Sequence, residues 1–244
     1  MYHYLDDKEF LSKMRRLSGE IMQRLCHYLK EDHDIGASFY LVGSGARNLI
    51  LQNESNPVDL DYNLEIVRCE DYDDCRYLKE CARKSFNKAL NEHQLRDCED
   101  STSSLTSKRI QFTSGNDTEF TIDVCITCRD EKDNYHRLIH DKKSWNLNGR
   151  YFWNMAPHSK KLKEKADHIK KCGKWELVRE QYLRIKNRYL SENDHDHPSF
   201  VCYVEAVNNV YNSRNHWCLE ILYFKQHQSA TTKDEKHFRE IVFL

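Results

Sequence analysis

The sequence predicts an α+β protein: a mixed sheet flanked by helices, followed by a mainly helical C-terminal region. Three patterns carry that prediction. Apolar residues step by three or four near the N-terminus, they alternate with polar ones at residues 58–67 and 119–127, and helical spacing returns beyond about residue 155.

Phe10, Met14, Leu17, Ile21, Leu25 and Tyr28 form one stripe of an opening amphipathic helix, expected to end before the polar stretch from Glu31 to Gly36. The short apolar run from Ala37 to Val42 reads as a buried strand that stops at Gly43. Ser44-Gly45-Ala46-Arg47-Asn48 reads as a turn opening a short helix, and Pro57 closes the loop behind it. From 58 to 67 the alternation puts Val58, Leu60, Tyr62, Leu64 and Ile66 on one face of a strand and Asp59, Asp61, Asn63 and Glu65 on the other.

A helix over roughly 73–93 follows, with Leu78, Ala82, Phe86 and Ala89 inward. Residues 107–113 and 119–127 read as two strands joined by the turn sequence Ser114-Gly115-Asn116-Asp117. In the second of these, Phe120, Ile122, Val124 and Ile126 make the apolar row and leave Thr121, Asp123 and Cys125 opposite. The aromatic-rich stretch 130–157 reads as a connection or one more strand. Beyond it, Leu162, Ala166 and Ile169, then Trp175, Val178, Tyr182, Ile185 and Tyr189, then Tyr203, Val207 and Val210 after Pro198, read as helices. The expected organisation is a core at 1–130, a connection at 131–157 and a helical domain at 158–244.

A chain of 244 residues can bury a core and still leave a cleft, and the 32% of charged residues points to a highly soluble protein. The N-terminus lacks the basic start and apolar run of a secretory signal. No segment approaches the roughly eighteen apolar residues of a membrane span, so a cytoplasmic protein without membrane contact is expected. The ten cysteines fall inside helices and strands rather than in loops of a small secreted chain, which reads as free thiols. A net charge of −1 argues against a protein that coats nucleic acid, yet the charge is uneven. Residues 54–100 hold 13 acids against 7 bases, and residues 158–188 hold 11 bases against 4 acids.

The chemistry-bearing set is acidic. Asp59 and Asp61, two apart on a strand, aim their carboxylates one way, and Asp123 lies on the polar face of a second strand. Alternation on any half-exposed strand yields a solvated Asp-x-Asp, so the third carboxylate changes the reading. If the strands are neighbours, carboxylates about 4 Å apart repel by roughly 4 kcal/mol each at an effective dielectric of about 20, and such a cluster favours bound cations. Hard oxygen ligands with room for water and phosphate suit Mg²⁺ or Mn²⁺. Ahead of them, Gly43-Ser44 at the mouth of a helix leaves backbone N–H groups outward, a seat for phosphate oxygens as well as an ordinary turn. Arg47, one turn on, reads either as a phosphate ligand or as a solvated helical arginine, and Lys108 and Arg109 divide the same way.

Gly43-Ser44, fourteen residues, Asp59-Leu60-Asp61-Tyr62, and later Ile122-Asp123-Val124 resemble the DNA polymerase β-type nucleotidyltransferase superfamily over about residues 36–128. The resemblance implies a nucleotidyltransferase-type mixed sheet and a two-metal site that moves an NMP from an NTP, ATP by default, to a hydroxyl. Gly43 and Ser44, with Arg47 near, would grip the β/γ-phosphates; Asp59 and Asp61 would bridge two Mg²⁺ ions; Asp123 would position the ion that activates the acceptor. The acceptor stays open between a small alcohol, a protein or tRNA hydroxyl, and a second nucleotide. The loop Gly45-Ala46-Arg47-Asn48 matches no one subfamily. A nucleotide- or RNA-binding module that lost turnover is the alternative. Cys125-Ile-Thr-Cys128 has the spacing of half a zinc site but lacks a second pair, and His195-Asp-His197 reads as a surface loop.

Overall fold

A computed structural model describes residues 1–145, 150–156, 160–194, 198–214 and 217. Two compact units divide the chain, residues 1–158 and 159–244. The His195–His197 loop lies outside the described residues, as do 146–149 and 157 of the aromatic-rich stretch and residues 158 and 159 after it.

In the first unit, β1 (Tyr2–Tyr4) pairs antiparallel with β3 (Leu51–Asn53), a two-stranded sheet too short to announce itself in periodicity. Helix α1 spans Lys8–His33, capped by the Asp7 side chain, which accepts from the Phe10 amide at 2.9 Å. It runs past the expected stop because Asp34 takes the left-handed conformation (φ 54°) and its N–H closes the last turn onto Leu29 and Lys30.

The main sheet has seven strands. Strand β2 (Gly36–Leu41) pairs antiparallel with β4 (Val58–Arg68), and β4 pairs parallel with β7 (Phe120–Arg129). The crossover between the parallel pair contains α3 (Cys75–Glu92), capped by Asp74. Beyond β7 the sheet forks. One branch is the hairpin β5 (Glu99–Asp100) and β6 (Leu105–Thr106); the other is β8 (Tyr135–His140) and β9 (Tyr151–Met155). The aromatic-rich stretch thus adds two strands to this sheet.

Alternation sorts the two faces of β4 and β7. Val58, Leu60, Tyr62, Leu64 and Ile66, with Phe120, Ile122, Val124 and Ile126, are buried in one apolar cluster with the α1 stripe and with Leu78, Ala82, Phe86 and Ala89 of α3. Two expectations need correction. Strand β2 is not buried: it has one strand partner, and Tyr40 is half exposed. Residues 107–113 form no strand; the Ser107 N–H and hydroxyl bond to the Ile122 carbonyl and N–H, and Ile110 exchanges a pair of backbone bonds with Phe120 in one isolated bridge. The regular pairing on this side of β7 lies just before them, in β6, whose Leu105 and Thr106 oppose Val124 and Asp123.

The nine cysteines among the described residues are free, as expected. Cys125 lies on the acidic face of β7 and Cys128 on the buried face, so the half-zinc spacing does not converge. Among the described residues no helix is long and apolar enough to cross a membrane.

The second unit holds α4 (Lys160–Lys171), α5 (Trp175–Ser191) and α6 (Ser199–Asn212). Ala166, Ile169, Val178, Tyr182, Ile185, Cys202, Ala206, Val207 and Val210 are buried among them.

Candidate active site

The register of the parallel pair builds the site. Asp61 stands opposite Asp123, and Asp59 opposite Thr121. Neighbouring strands lie about 4.8 Å apart and residues two apart on a strand about 6.6 Å, so the three Asp backbones fall within a small patch of one face. That face is the polar one, since each Asp is flanked by residues of the buried row.

Two threonines fix the outer carboxylates. Thr121 Oγ1 donates to Asp59 Oδ1 at 2.6 Å, and Thr106 Oγ1 donates to Asp123 Oδ1. Thr106 is placed for this by the β6–β7 register. Asp61 is the innermost: burial pushes its carboxyl up to about 6, the charges of Asp123 and Asp59 push the same way, and Arg47 and Arg137 pull against them. Burial also raises Asp123, opposed by the Thr106 hydrogen bond and helped by the charge of Asp59.

At the end of β2 the chain enters α2 (Gly43–Arg47), only five residues long. The Val42 N–H donates to the Asp61 carbonyl at 2.8 Å, tying this turn to β4. Gly43 has φ +61°, and a Cβ built there would lie 2.0 Å from Asp61 Oδ2. Glycine is therefore required twice, for its conformation and for its missing side chain. As first residues of a helix, Gly43, Ser44 and Gly45 have amides with no intrahelical acceptor. Arg47 Nη1 donates to the Gly43 carbonyl at 2.8 Å and is half-buried rather than solvated.

Sequence reasoning missed Arg137. The β7–β8 register sets it opposite Thr127, on the acidic face, where it is exposed and acts on Asp61 by charge. Nothing local marks it, because β8 becomes part of this face only through pairing. Thr106 was missed for the same reason. Lys108 and Arg109 do not join the cluster; they pair with Glu99 and with Glu119 (3.1 Å).

As their side chains stand, no three His, Cys, Asp or Glu residues among the described residues are grouped to hold a metal ion. The three aspartates are instead an open, all-oxygen set on one face. Such a set would suit Mg²⁺ only with waters and substrate oxygens completing its shell. The Asp61 carboxyl, raised first by burial and then by the charges of Asp123 and Asp59, is consistent with this, since a divalent cation would offset both effects.

No model of a known protein family matches the sequence, and no curated protein matches it. Solved structures do. The Vibrio cholerae cyclic AMP-GMP synthase DncV, in complex with a linear intermediate, is similar over 84% of this chain and 68% of its own, with a TM-score of 0.58 and 11% identity. CdnC of E. coli MS115-1, with ATP, is similar over 84% of this chain, with a TM-score of 0.52 and 16% identity. This chain spans 61% of that CdnC chain. Identities this low establish the fold alone: a central mixed sheet flanked by helices, shared with these two structures.

Proposed function

We propose that this chain, with its nucleotidyltransferase fold, binds a nucleoside triphosphate with Mg²⁺ and transfers the nucleotidyl group to a hydroxyl, releasing pyrophosphate. The observation that carries the reading is the position of Asp61, beside Asp123 in the β4–β7 register and packed against the Gly43 turn at the end of β2. Three converging carboxylates are an unfavourable arrangement for a protein that only binds a polyanion. That cost weighs against an inactive binding module of the same fold.

Asp59 and Asp61 would hold two ions between them, with Asp123 sharing one. Bound ions would lower the pKa of the acceptor hydroxyl and neutralise the leaving pyrophosphate. The chain's own groups do the rest. The Gly43, Ser44 and Gly45 amides and the Ser44 hydroxyl would hold the β- and γ-phosphates, with Arg47 and Arg137 adding positive charge on either side of the carboxylates. Thr106 and Thr121 orient the oxygens of Asp123 and Asp59. The acceptor oxygen attacks the α-phosphorus, the bond to the bridging oxygen breaks, and pyrophosphate leaves with that electron pair. The acceptor proton passes to Asp123 or to solvent.

ATP is the default donor. Among acceptors, a second nucleotide is favoured, because the similar DncV structure is that of a cyclic AMP-GMP synthase holding a linear intermediate. The test is to incubate the purified protein with Mg²⁺ and labelled ATP, GTP, CTP and UTP, singly and in pairs, and to follow pyrophosphate release and product mass. Metal-dependent release that Asp59→Ala and Asp61→Ala abolish is the expected result. If those variants bind Mg-ATP as the parent does, the site assignment is wrong; if the parent binds Mg-ATP tightly and never releases pyrophosphate, the binding module stands instead.

A further inference from the structure

Helix α1 carries a cation where its pattern calls for an apolar residue. Its core-facing stripe runs Leu11, Met14, Ser18, Ile21, Met22 and Leu25, and Arg15 falls on that stripe between Leu11 and Ser18. The Arg15 side chain reaches the turn behind the site: Nη2 donates to the Gly45 carbonyl at 3.2 Å. Its Nε is buried with no hydrogen-bond partner. Among the described residues no carboxylate pairs with it. Nearby, the Tyr62 phenol and the Ser18 hydroxyl bond to each other at 2.7 Å, and Arg15 is close enough to act on that phenol by charge.

For folding alone this is a poor choice. A half-buried guanidinium that lacks a carboxylate and leaves its Nε donor unmade costs free energy that a methionine of similar length would not. What Arg15 touches is the turn proposed to hold polyphosphate, from the side away from the aspartates. Gly45 is wedged there, since a Cβ on it would lie 2.9 Å from Leu60 Cδ2 and 3.3 Å from Leu41 Cδ1.

We propose that Arg15 is a positioning residue for the polyphosphate: it fixes the Gly43–Arg47 turn through the Gly45 carbonyl and places a half-buried positive charge behind the β- and γ-phosphates. The inference rests on the nucleotidyltransferase reading. The charge counts for more there than in bulk water, because the half-buried position removes part of the solvent that would screen it. The missing counter-charge is then supplied by the substrate.

The test compares Arg15→Met and Arg15→Lys with the parent, measuring binding of Mg²⁺ with a non-hydrolysable ATP analogue, binding of AMP, and thermal unfolding without ligand. Arg15→Met should bind the triphosphate about tenfold more weakly, the loss expected for one charge-assisted contact. AMP binding should stay unchanged, the ligand-free melting temperature should hold or rise, and Arg15→Lys should recover part of the loss. Equal triphosphate binding by parent and Arg15→Met would overturn the proposal. So would a lowered melting temperature with equal losses for ATP and AMP, the mark of a merely structural arginine. A parent that binds no Mg-triphosphate would sink the nucleotidyltransferase reading itself, a result distinct from either.

Discussion

The Asp61 carboxylate occupies the space that a side chain on residue 43 would need: a Cβ on Gly43 would come within 2.0 Å of Asp61 Oδ2. The first turn of the site and its innermost acid are thus fitted to each other, and neither can change alone. Gly43→Ala should displace Asp61, with a stability loss of about 1–3 kcal/mol from the positive φ and the clash together. Metal-dependent nucleotide binding should be lost out of proportion to stability. Denaturant melts alongside titrations with Mg-ATP would show it, and unchanged binding in a folded Gly43→Ala would mean that the turn does not set Asp61.

Asp61 also predicts a pH dependence. Its carboxyl is raised to about 6 from an ordinary 3.8, so the folded metal-free protein keeps this proton over a range where the unfolded chain has lost it. Stability from this group is complete below pH 3.8 and is lost as pH rises toward 6, by about 3 kcal/mol at most. Asp123 acts in the same direction. Asp61→Asn should flatten this fall, and Mg²⁺ should recover stability above pH 6 in the parent only. Chemical denaturation of parent and variant at pH 4.5 and 7 measures both.

Thr106 has no metal-binding role of its own, yet it donates to Asp123. Thr106→Val keeps the shape and removes the hydroxyl. It should weaken Mn²⁺ binding severalfold, by about 1 kcal/mol for one hydrogen bond to a charged oxygen, with the fold intact. Thr106→Ser should retain the parent's affinity. Mn²⁺ titration followed by electron paramagnetic resonance reads this directly.

A buried pair away from the site sets a stability prediction. Lys79, 2% exposed, reaches Asp100 Oδ1 and the Ser101 carbonyl, each at 2.7 Å. Asp100 Oδ2 in turn meets His140 Nδ1 at 2.7 Å. Lys79→Met leaves Asp100 without its ammonium and should cost about 3 kcal/mol. The double variant Lys79→Met with Asp100→Asn should lose less than the two single losses added together. Additive losses would show that the two side chains do not depend on each other.

Part of this protein is legible without a structure. Alternation along 58–67 puts Asp59 and Asp61 on one face and Val58, Leu60, Tyr62, Leu64 and Ile66 on the other, because the strand period is a local property of the backbone. The stripe of α1 and the inward positions of α3 follow for the same reason at helical period. Even there local reading failed at 107–113, where the ladder that begins in β6 breaks after Thr106 and only Ser107 and Ile110 still bond to β7.

What the tertiary structure decided is which distant residues meet. Asp61 and Asp123 are 62 positions apart, and only the crossover through α3 and the parallel register of β4 and β7 set them side by side. The same long-range pairing brings Thr106 to Asp123 and Arg137 onto the acidic face, and packing places Arg15 behind Gly45. Periodicity names the face a side chain takes; strand register and helix packing, which depend on the whole chain, choose its neighbours.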